Sequence, residues 1–193
     1  MTEVRRIVDF LRGIGIPVRL TDERVESFLP GVRITSEGLV VCEEDVKHPH
    51  DLFHEAGHLA VVPTRFWPHL DPAGTDFNAP PAAFEAAVET YMAEHPDGLT
   101  SHPEDPVCRA ILQMGEAEAI AWSYAAMVAA ECDLDAMWHP PFDGFDGEAP
   151  DVYVGLSLGS HPGIHGLQTV GMTTTRTYPV MSRWLSSGAA PTT

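Results

Sequence analysis

Residues 51 to 62 read DLFHEAGHLAVV, in which His54, Glu55 and His58 stand in the spacing H-E-x-x-H. On an α-helix, residues four apart lie on one face one turn up, so His54 and His58 present imidazole nitrogens to a common point. Zinc accepts such a pair, and a catalytic zinc takes three protein ligands with a fourth position left for water. Glu55 projects to the side of that water and is placed to act as its general base. Ala56 and Gly57, between the histidines, are small enough for a metal and a neighbouring element to approach. The chemistry implied is metal-assisted hydrolysis of an amide, and the stretch lacks one ligand.

A third histidine six residues after His58 would mark the metzincin pattern, but Thr64 stands there, and Val61 stands where that pattern has glycine. The remaining candidates are carboxylates on other helices, chiefly Glu85, Glu89, Glu116 and Glu118. Residues 107 to 131 read as one long helix in which Ile111, Met114, Glu118, Ala121, Ala125 and Val128 follow one face. Glu118 thus falls in an apolar stripe, where a carboxylate is costly unless it is paired or binds a metal. Glu116 lies about 200° around the helix, on a wetter side with Arg109, Gln113 and Ser123. Glu118 is the expected third ligand, and Glu85 and Glu89 are expected to be solvated.

The elements that must position these residues follow from periodicity. Val4, Ile7, Val8 and Leu11 predict an amphipathic first helix, TDERVESFL a brief second one, and GVRITSEGLVVCEE a hairpin turning at Ser36-Glu37-Gly38. Pro49, Asp51 and Pro63 bound a helix over residues 49 to 62, so the motif sits mid-helix. Residues 63 to 81 read as a long surface loop, 82 to 95 as a helix with Phe84, Val88, Tyr91 and Met92 inward, and 132 to 151 as an acidic Pro/Gly-rich loop. Beyond lies an irregular stretch with one terminal helix at most. The expected organisation is a single α+β domain over residues 1 to 185, mainly helical with a small antiparallel hairpin before the H-E-x-x-H helix. A disordered tail is expected over 186 to 193.

A hairpin feeding H-E-x-G-H, followed later by a helix reading E-A-x-A-aromatic-small, resembles the ImmA/IrrE type of zincin-like metallopeptidase. The residues that carry the resemblance are GLVVCEEDVKHPHDLFHEAGH and EAEAIAWSYAAMV, and it covers about residues 32 to 62 and 114 to 130. It implies a zincin-like fold and a Zn2+ cofactor. It also makes His54, His58 and Glu118 the ligands and Glu55 the base in cleaving a protein or peptide substrate. The insertion between the two helices is longer than that family usually shows, and no helix-turn-helix domain is appended. The alternative reading is a zincin-fold regulatory or interaction module that holds a metal without cutting a bond.

Among further residues, His161 and His165 in SHPGIH, with His69, Tyr153 and Arg176, are candidate donors to a developing oxyanion. His50, one turn before His54, is a helix-start residue or a support for the metal ligands. A formal charge of −17 with only 11 basic residues opposes nucleic-acid backbones and anionic lipid. No run approaches about 18 apolar residues, so no membrane span is expected. Cys42, Cys108 and Cys132 form no C-x-x-C pair and suit free thiols in a reducing, cytoplasmic setting.

Overall fold

A computed structural model of the chain describes residues 1–95, 97–100, 102–134 and 149–186. Helix α1 (Glu3–Gly13) buries Val4, Ile7, Val8 and Leu11, and Thr2 caps its start by accepting the Arg5 N–H. Strands β1 (Val18–Leu20), β2 (Val32–Thr35) and β3 (Gly38–Val41) form one sheet in the order β1-β3-β2. The β2-β3 pair is the predicted hairpin, with Thr35 opposite Gly38. Strand β1 is an addition to that expectation: it pairs parallel to β3, Val18 opposite Leu39, which makes the sheet mixed. Central β3 is buried along its whole length, as a strand covered on both faces must be. No helix forms over TDERVESFL, where the chain is held instead by Val25 N–H donating to Asp45 and by the Ser27 hydroxyl.

Helix α2 (Asp51–Val61) carries the H-E-x-x-H residues, with His50 rather than Pro49 at its boundary. Its last carbonyls, which have no partner within the helix, are met from two directions. The Trp67 indole donates to Leu59 O and Val62 O, and Ser186 N–H donates to Ala60 O. Trp67 belongs to a 3-10 turn over Thr64–His69, so the expected loop over 63–81 begins as an ordered element with Phe66 and Leu70 buried. Ser186, expected to open a disordered tail, is wholly buried. Residues 187–193 lie outside the described residues.

Helix α3 (Ala82–Glu94) buries Phe84 and Met92. The predicted 107–131 helix is two helices: α4 (Pro106–Ile111), capped by Asp105, and α5 (Glu116–Ala129), separated by Leu112–Gly115. Helix α6 (Ala149–Ser157) occupies the end of the stretch expected to be a loop over 132–151, most of which lies outside the described residues. Helix α7 (Pro162–Thr169) follows, and among the described residues no terminal helix forms after it. The fold is α+β, and α2 and α5 form its central pair, lying against one another with the sheet and α1 on the α2 side and α7 on α5. All three cysteines are free and buried. No helix among the described residues is long and apolar enough to cross a membrane.

Candidate metal centre

Two helices meet at the site because their facing residues are small. A Cβ on Gly57 would fall 2.5 Å from Ala119 O and 2.9 Å from Ser123 Oγ, so α2 approaches the α5 backbone directly. Ser123 Oγ lies 2.8 Å from both Phe53 O and Ala119 O, and it is this polar contact that pins α5 to the turn before the motif. Glu116, Ala119 and Ser123 stand at i, i+3 and i+7, on one face of α5. The face that carries Ser123 is therefore the α2 contact, and Glu116 sits at its N-terminal end.

Glu116 reaches both histidines. Its carboxylate lies 3.6 Å from His54 Nε2 and 3.1 Å from His58 Nε2, and the two imidazole nitrogens are 3.2 Å apart. The ligand atoms of the three residues all fall within 4.8 Å of one another; among the described residues no other histidine, cysteine and carboxylate group does so. At tetrahedral positions around zinc, two nitrogens stand about 3.3 Å apart. Two imidazoles and one carboxylate converging at this spacing form a donor set that zinc, or another divalent first-row metal, accepts.

Glu118, the expected third ligand, is elsewhere. It turns toward α7, where a Cβ on Gly166 would collide with its carboxylate, and it accepts hydrogen bonds from the backbone N–H groups of Gly115 and its own residue. Gly115, at the helix start, has no capping side chain, so Glu118 serves the orphan amides of the first turn. Burial raises its pKa and these hydrogen bonds oppose the rise. The apolar stripe expected over 107–131 does not run through to α5, because Leu112–Gly115 interrupts the helix. Ile111 and Met114 therefore set no phase for α5. Ser123 carried the missed signal: a serine among Ala119, Ala126 and Trp122 marks a close helix contact rather than a wet face.

Electrostatics set the protonation states. Burial, and after it the neighbouring His58, hold the His54 imidazole well below its ordinary range, which keeps it neutral and able to ligate. The hydrogen bond with His58, helped by His54, holds the Glu116 carboxyl below the usual carboxylate range although burial opposes it. Glu55 is pushed up to about 7, mainly by burial, with the carboxylates of Asp51, Glu116 and Asp76 adding to the rise and His58 opposing it.

The loop after α2 returns to the site. Thr75 bridges to Ile34 of β2, and two residues later the Phe77 ring stacks on His58 at 5.5 Å between centroids and 20° between planes. Phe77 in turn meets Phe84 edge-on.

The other sequence candidates take different positions. His161 caps α7 by accepting the Gly163 N–H at Nδ1, and His165 is exposed on the same helix. His50 points to α1, 3.5 Å from Glu3. Glu85, Glu89, His69 and Arg176 are exposed, and Tyr153 lies against the Tyr124 ring. Compared with protein-family models, with curated proteins and with solved structures, the chain matches none.

Proposed function

We propose that the protein is a zinc-dependent metallopeptidase with a zincin-like arrangement, in which His54, His58 and Glu116 hold the metal and Glu55 is the general base. The observation that carries this reading is the arrival of Glu116 from a second helix beside the two histidines, completing the H-E-x-x-H set with a distant glutamate. The sequence resemblance to ImmA/IrrE-type metallopeptidases supports it, with Glu116 taking the part that the resemblance assigned to Glu118. When bound, Zn2+ supplies a Lewis acid that activates water near neutral pH and polarises a carbonyl.

The chain's own residues do the rest. Glu55, adjacent in sequence to the ligand His54, takes the proton of the attacking water on its carboxylate and returns it to the leaving amine. Burial raises the Glu55 carboxyl to about 7 in the metal-free centre, and a bound dication would favour its ionised, proton-accepting form. The neutral His54 and the ionised Glu116 each have a lone pair to offer a metal.

Glu55→Gln tests the reading. We expect the variant to bind zinc as the wild type does and to lose about 10²- to 10⁴-fold of its turnover of a mixed peptide library. Zinc bound by the wild type with no peptide cut would move the assignment to a metal-holding regulatory module.

A further inference from the structure

Strand β2 is an edge strand, and an unpaired edge is the place where an extended peptide adds to a sheet. In this protein the stretch of that edge beside the candidate metal centre is already taken by the chain itself. Thr75 N–H donates to Ile34 O at 2.8 Å in an antiparallel bridge. Two residues further on, Phe77 covers one face of the His58 ring. Two residues of extended chain reach at most about 7 Å, so one short segment spans the whole gap between the sheet edge and the ligand histidine.

The segment is built to lie flat there. Gly74 has φ +145°, a conformation that side chains rarely adopt, and a Cβ on it would come 2.5 Å from Arg33 Cδ on β2. Asp71 anchors the preceding turn, its Oδ1 accepting the Ala73 N–H and its own N–H donating to Thr75 Oγ1. Backbone pairing on β2 and an aromatic ring over a ligand together fill the place where an extended peptide would meet the site.

We propose that residues 74 to 78 are a built-in strap that occupies the substrate position, so that the metal centre is closed until the strap lifts from β2. This rests on the metallopeptidase reading for what the closed centre would do, but the closure itself concerns only the strap, the sheet edge and His58. Apolar contact through Phe77 and a single backbone hydrogen bond through Thr75 make it a weak latch, one that a peptide with a better-fitting edge could displace.

The test uses the zinc-loaded full chain and two variants: Phe77→Ala, which removes the stack, and Thr75→Pro, which removes the donated N–H. The first readout is the rate at which excess pyridine-2,6-dicarboxylate strips zinc; the second is turnover of the peptide library. We expect both variants to hold zinc with wild-type affinity and to release it to the chelator roughly fivefold or more faster, with Phe77→Tyr restoring the slow rate. Unchanged release in both variants would overturn the strap, and so would a fall in equilibrium zinc affinity in Phe77→Ala, because the ring would then be a support for His58. Release decides the strap and cleavage decides the reading beneath it. Faster release with no peptide cut by any form keeps the strap and removes the peptidase, whereas cleavage by all forms with unchanged release does the reverse.

Discussion

Glu116 and Glu118 stand two residues apart on one helix, and alanine at each position separates their parts. Glu116→Ala should lower zinc affinity by more than about 100-fold, since even residues that only support a ligand cost about 10- to 100-fold when removed. Glu118→Ala should leave zinc affinity in place and lower stability by about 1 kcal/mol, the value of a helix-start acceptor. A zinc titration giving the opposite order would remove Glu116 from the centre. His54 and His58 were legible in the sequence because i, i+4 geometry inside one helix needs no tertiary knowledge. The third residue was not, because it depends on where α5 begins. Gly115 ends the interruption after α4, and one residue decides which carboxylate faces α2 and which turns to the backbone amides.

Helix ends, more than helix interiors, separate the observed elements from those the periodicity predicts. The hydrophobic pattern located α1, α2, α3 and the β2-β3 hairpin, each of which carries its periodicity within its own residues. It did not reveal β1, which has only three residues and exists through its parallel pairing with β3 about twenty positions away. Nor did it reveal α7, whose Gly163 and Gly166 read as breakers but allow close packing on α5 at Ala117 and Glu118. The cap of α7 carries a pH dependence. His161 Nδ1 accepts the Gly163 N–H at 3.2 Å, which requires the neutral ring, and burial lowers its pKa from the ordinary 6.5. The unfolded chain therefore takes up that proton more readily than the fold does. The contribution of the cap is full above pH 6.5 and is lost as pH falls below it toward the folded value. The cap is worth about 1 kcal/mol at most, and solvent around a half-exposed ring trims what protonation removes. We expect His161→Asn, which keeps an acceptor without the titration, to lose less stability between pH 7 and 5.5 than the wild type in urea unfolding. Equal losses would show that the cap does not sense pH.

At the scale of the whole molecule, the last described residues close the core between α1 and α5. The Trp184 ring meets Trp122 of α5 at 5.5 Å and Phe10 of α1 at 5.6 Å, both edge-on, and its carbonyl accepts the Trp122 indole N–H. Phe10 meets Phe53, the residue before His54. Trp184→Ala should cost about 3 kcal/mol, measured by denaturant unfolding, because it opens a cavity between α1 and α5. A change below about 0.5 kcal/mol would mean that this aromatic chain closes nothing. The glycine seam between α2 and α5 has a further consequence. With two histidines on one wall and Glu116 on the other, an ion clasped by all three would act as a rivet, and its affinity would be a ruler of helix separation. Each tenfold gained in grip would tighten the seam by about 1.4 kcal/mol. Heat, or a partner that spreads the helices, would be read out as the ion leaving.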